Sequence, residues 1–259
     1  MARLGQLLWA SNTAVTLALL VLLVRHKIFR RYPAFVLYTV TNLLQALVLY
    51  FIYRRWGYAS TISWQVGWAM DLLTTFAKAI AVAELCRQLL GAYRGVWAFA
   101  WRTFVGSAVL VTLVSAITAN HRWELLLPNV QRGLELAMAS VVVLLLVFVR
   151  YYEVETPAAA RGLTTGICFY SCFVVLNDML LERYLYSYAE LWSVLGLLAF
   201  LASLLTWIWA FRKPMAAEAS ENILVPAGFY GAVMPELNLR LQLLNEQLSR
   251  FWRVGDTRP

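Results

Sequence analysis

Seven times along this chain the side chains stay predominantly apolar for about 17–24 residues, the length an α-helix needs to cross the hydrocarbon core of a bilayer. The runs cover approximately residues 7–24, 34–53, 62–85, 103–119, 127–149, 162–183 and 191–211, with short connections. Stretches this long and continuous are not β-barrel strands, which alternate polar and apolar residues over about ten positions. Nor does water offer a way to bury them. Hydrophobic residues make up 61% of the chain and charged ones 14%, against roughly 45–50% and 25% in soluble domains. Pro33 and Pro128 open the second and fifth runs, and Pro157 and Pro214 follow the fifth and seventh. The expected fold is an all-α integral membrane protein, a seven-helix bundle formed by residues 1–213 and followed by a tail, 214–259. The lipid bilayer is its first partner.

The distribution of positive charge sets an expected orientation. Residues 1–213 hold 18 Lys/Arg and 9 Asp/Glu, whereas the tail holds 4 and 5, so the net charge of +8 sits in the short connections. One side collects Arg25, Lys27, Arg30, Arg31, Arg87, Arg94, Arg102, Arg150, Arg161, Arg212 and Lys213. The other has Arg3, Arg54, Arg55, Arg122 and Arg183, with Arg132 just inside the fifth run. The richer side is expected to be cytoplasmic, which puts the N-terminus outside and the C-terminus inside, in a cytoplasmic (inner or plasma) membrane. Charge placed this way serves topology and anionic lipid, and no basic run suggests nucleic acid.

Against this background the stretch "WAMDLLTTFAKAIAVAEL", residues 68–85, stands out because it carries Asp71, Lys78 and Glu84. A charge near the bilayer centre costs at least about 2.5–3.5 kcal/mol, so it is expected to face the bundle and find partners. Asp71, Thr74, Thr75 and Lys78 recur at helical spacing and form one polar stripe. Glu84 lies near the cytoplasmic end, three residues before Arg87, and is expected to pair with it. Other runs bring polar groups to a similar depth: Gln45 in the second, the i, i+3 pair Arg132 and Glu135 in the fifth, and Asn177 and Asp178 in the sixth. At 1.5 Å per residue, Asp71 and Gln45 lie roughly 12–13 Å below the outer surface. Two readings are open. These groups are interhelical links that fix packing, or they line a polar pocket in the outer half, rimmed by Trp64, Trp68, Trp123, Tyr184 and Trp192.

Catalytic signatures are weak. The two histidines, His26 and His121, fall in connections on opposite sides, so no His-based metal site is expected within the bundle. Cys86, Cys168 and Cys172 lie in or beside the runs and suit packing better than a disulfide. No cofactor is expected, and an enzyme ranks fourth among the functions that the sequence leaves open. In the tail, Leu237, Leu241, Leu244, Leu248 and Phe251 are spaced 4-3-4-3, which predicts an amphipathic helix over about 235–252. That helix would dock on the bundle, lie on the inner leaflet, or contact a cytoplasmic or membrane protein partner. The layout first suggests a sensor or receptor-like module for an unknown ligand. A small transporter or channel using Asp71, Lys78 and Asp178, or a non-catalytic subunit of a membrane complex, stands as the alternative.

Overall fold

The computed structural model describes residues 2–58, 60–90, 94–119, 123–151, 156–183 and 189–212, together with 239, 243–244 and 246–247 of the tail. Within these, the side chains of 2–3, 94–100, 116, 118–119, 123–128, 178–183 and 189–190 are not described. The described residues contain seven α-helices and no strand. These are α1 (Ala2–Arg25), α2 (Pro33–Trp56), α3 (Thr61–Leu90), α4 (Arg94–Ala119), α5 (Trp123–Tyr151), α6 (Ala158–Arg183) and α7 (Ala189–Ala210). A short 3-10 turn, Ile28–Arg30, joins α1 to α2. Most of the amphipathic helix expected over 235–252 lies outside the described residues, although the described tail positions are helical and exposed.

Six helices, all but α4, are long and apolar enough to cross a membrane, so the chain is a multi-pass helical membrane protein. The fourth run differs: the apolar part of α4 among the described residues is the shorter Trp101–Ser115. Packing separates the same helix. The neighbours α1–α2–α3–α5–α6–α7 close back on α1 as a six-membered ring, while α4 lies outside it, chiefly against α5.

Chain direction around the ring can be read from individual contacts. Asn12 Nδ2 donates to the Leu197 carbonyl at 3.0 Å, and His26 Nδ1 donates to that of Phe211 at 2.9 Å. Both links join residues 185 apart, so α1 and α7 run parallel. By contrast, α2 and α3 are antiparallel, since Glu84 meets Ala34 and Phe35 whereas Asp71 meets Gln45. Small residues bring helices close where no hydrophobic drive exists between them in lipid. A Cβ at Gly133 would strike Val111, and Cβ atoms at Gly162 and Gly166 would strike Ala210 and Trp207.

One end of the ring is closed by aromatic side chains. Tyr32, Phe35, Tyr38, Trp207 and Phe211 are fully or almost fully buried. The Phe35 and Trp207 rings meet edge-to-face at 5.1 Å, a geometry worth about 0.5–1.5 kcal/mol beyond burial. Trp207 Nε1 donates to the Leu163 carbonyl at 3.3 Å, which satisfies its polar atom inside the core. At this end Glu84 departs from its expected pairing with Arg87. Its Oε2 accepts from the backbone N–H groups of Ala34 and Phe35, at 3.0 and 3.2 Å. Pro33 occupies the first turn of α2, and Tyr32 provides no side-chain cap. A carboxylate from α3 therefore serves the N-terminal amides that α2 leaves unpaired.

Candidate functional site

Four helix stripes converge at mid-length of the ring around an internal space of about 100 Å³. From α2 come Tyr38, Asn42 and Gln45, and from α3 Asp71, Thr74, Thr75 and Lys78. The third stripe is Gln131 and Glu135 of α5, and the fourth is Tyr170 and Val174 of α6. Each set recurs at three- or four-residue spacing, which puts its members on one face of their helix. Gln45 lies twelve residues after Pro33 and eleven before Trp56. Tyr170 lies twelve after Ala158 and thirteen before Arg183. The cavity thus straddles the middle of the helices instead of sitting in one half.

At the deep wall, Lys78 Nζ and Glu135 Oε2 form an ion pair at 2.5 Å, with the two side chains only 3% and 6% exposed. The same ammonium lies 4.9 Å from the centre of the Tyr170 ring, within cation–π range. Three helices therefore meet on one lysine. Glu135 pairs across the bundle to α3, not along its own helix to Arg132 as the i, i+3 spacing suggested. Arg132 is half-buried, and Gln131 rather than Arg132 lines the cavity. One residue is about 100° of helix rotation, enough to turn a side chain away from such a wall.

The opposite wall is a hydrogen-bonded relay. Thr74 Oγ1 donates to Gln45 Oε1 at 2.8 Å, and Gln45 Nε2 donates to Asp71 Oδ1. Gln45 thus uses both ends of its amide to tie α2 to α3. Asn42 Nδ2 donates to the Tyr38 carbonyl one turn back at 2.9 Å. On α5, the side-chain oxygen of Gln131 is buried with no hydrogen-bond partner.

Of the residues singled out in the sequence, Gln45, Asp71, Thr74, Thr75, Lys78 and Glu135 line one cavity. Asn177 does not line it, and its Oδ1 is buried without a hydrogen-bond partner on α6. The side chains of Asp178 and Trp123 lie outside the described residues, as does Tyr184. Trp64 and Trp68 stack edge-to-face at 6.3 Å on α3, and neither they nor Trp192 line the cavity. Tyr38, Asn42, Gln131 and Tyr170 were missed. For α2 the signal was available, because Tyr38, Asn42 and Gln45 repeat at i, i+4, i+7. No protein-family model, curated protein or solved structure matches this chain.

Proposed function

We propose that the protein is a seven-span membrane sensor that admits a small polar ligand to the mid-bundle cavity. The observation that carries this reading is the cavity itself: about 100 Å³ walled by polar side chains from four helices around a buried ion pair. Pure packing links do not require open space, whereas a binding site does. The ligand would act on Lys78, which joins α3 to α5 through Glu135 and to α6 through Tyr170. A change in that three-way contact would shift the helices relative to one another. The tail, with its helix over 235–252, would pass the shift to a cytoplasmic or membrane partner.

Seven spans follow if α4 returns the chain across the membrane. The chain passes from α3 through α4 to α5, and α3 and α5 are joined directly by the Lys78–Glu135 pair. The return pass would then fall to α4, shorter apolar stretch notwithstanding. The bias of Lys and Arg supports an external N-terminus, a cytoplasmic C-terminus and residence in a cytoplasmic or plasma membrane.

The test is a thermal-shift screen of the purified protein against small polar solutes. A solute that raises the unfolding temperature of the wild type but not of Asp71→Asn supports the reading; a screen in which none does so refutes it. Full signalling by a chain ending at Lys213 would remove the role of the tail. One observation favours a second reading, a transporter or ion relay: Asp71, Lys78 and Glu135 set three ionisable groups around one intramembrane space. Asp71→Asn would then abolish flux in proteoliposomes while leaving the fold intact.

A further inference from the structure

We infer that Cys168 and Cys172 of α6 form a chelating dithiol site for a thiophilic centre that takes two sulfurs at once, with trivalent organoarsenicals as the chemical class. The site is separate from the mid-bundle cavity, to which α6 contributes Tyr170 and Val174.

Spacing and distance carry the inference. Four residues apart, the two side chains lie one above the other on one face of the helix. Their sulfurs stand 4.0 Å from each other and both thiols are free. A disulfide needs about 2.05 Å, so direct union would require the sulfurs to close roughly half that gap, and an oxidant besides. A single bridging atom needs no such movement. Two bonds of about 2.3 Å, the length of a zinc–thiolate bond, span as much as about 4.6 Å. The pair is set for one shared atom.

Position on the helix sets what can reach it. Ile167 and Ser171 are fully buried, whereas Phe169 is 50% and Leu176 58% exposed. Cys168 and Cys172 lie between these extremes, each partly exposed, at the border of the packed face and the lipid-facing one. Cys86 of α3 is 4% exposed and has no second cysteine on its helix.

The membrane setting selects the class. An adduct that left a charge among membrane-embedded side chains would be costly. Cuprous ion on two thiolates leaves one negative charge, and zinc seeks four ligands where this turn offers two sulfurs. A trivalent arsenical, R–As=O, leaves no charge. Two As–S bonds form, the As=O bond breaks, and both thiol protons depart with the oxygen as water. Arsenic stays trivalent, so nothing is oxidised or reduced. The reagent itself is neutral and can enter from the bilayer.

The test is titration of the reduced full-length protein in mild detergent with phenylarsine oxide, read by intact-mass spectrometry. One equivalent is expected to add with loss of one water. Excess mercaptoethanol should leave the adduct in place, whereas dimercaptopropanol should remove it, and an equal concentration of zinc ion should not displace it. Because the second bond is intramolecular, Cys168→Ser and Cys172→Ser should each weaken capture by at least about 100-fold. Cys86→Ala should leave capture unchanged. Capture that survives either serine variant within about tenfold would mean reaction at one thiol and overturn the inference. So would loss of capture in a folded Cys86→Ala, displacement by zinc, or an adduct that is absent from the native chain and forms only after unfolding in dodecyl sulfate. Release of the wild-type adduct by mercaptoethanol would overturn it as well, which keeps the inference falsifiable if a serine variant fails to fold.

Discussion

Removing one member of the Lys78–Glu135 pair should destabilise the bundle far more than removing both. At 2.5 Å and an effective dielectric constant of about 20, the two charges attract by about 7 kcal/mol. Taking each ion out of water costs several kcal/mol, so the intact pair contributes little net stability. Glu135→Gln alone leaves the ammonium of Lys78 buried at 2% exposure, cushioned by the Tyr170 ring 4.9 Å away. The expected loss is about 3–5 kcal/mol. Lys78→Met alone, which leaves the buried Glu135 carboxylate without its partner, is expected to cost a similar amount. The double variant Lys78→Met, Glu135→Leu is expected within about 2 kcal/mol of the wild type, or above it. Reversible unfolding in mixed micelles, run as a double-mutant cycle, measures these terms. A coupling energy below about 1 kcal/mol, or single variants that lose less than that, would refute the claim that the pair is dry and mutually dependent.

The remaining predictions concern the supports of the site, and the same unfolding assay reads each of them. Glu84→Ala should cost about 1–2 kcal/mol by uncapping α2, while Arg87→Ala should stay within about 0.5 kcal/mol; equal effects would restore a local Glu84–Arg87 pair. Gly166→Ala should cost about 1–3 kcal/mol because its methyl would meet Trp207 and disturb the bond to Leu163. Gly196→Ala, in a helix with nothing within 4 Å of its added Cβ, should be neutral or stabilising by up to about 1 kcal/mol. Gln45→Leu should weaken α2–α3 packing by about 0.6–2 kcal/mol, since it removes two interhelical hydrogen bonds.

Helices were easy to see in the sequence, because the apolar runs and their prolines are one-dimensional signals. So was the α3 stripe, since Asp71, Thr74, Thr75 and Lys78 define their own face whatever lies opposite. What meets that face is a property of helix rotation and ring order, which no run of residues encodes. Glu135 shows the difference. It was recognisable as an ionisable group that must find a partner, but local spacing pointed to Arg132 and the fold supplied Lys78, 57 residues away. Glu84 repeats the lesson, with backbone amides of α2 in place of Arg87. Tyr38 and Tyr170 were passed over because tyrosines in membrane helices are ordinary, and only the cavity distinguishes these two. The exclusion of α4 from the ring follows from α3 packing directly on α5, a contact between helices with another in between.

The link between Asn12 and Leu197 has a meaning in time as well as in space. Asn12 is 5% exposed once the ring is closed, and the acceptor for its amide is made 185 residues later. At synthesis rates of about 5–20 residues per second, roughly 10–40 s separate the two. Throughout that interval α1 is in place with half of its seam unmade, so the ribosome's schedule and not the bilayer decides when the ring can shut. A chain stalled before residue 197 would expose this amide to lipid or to whatever factor attends the nascent bundle, and the final helix is the latch that ends the wait.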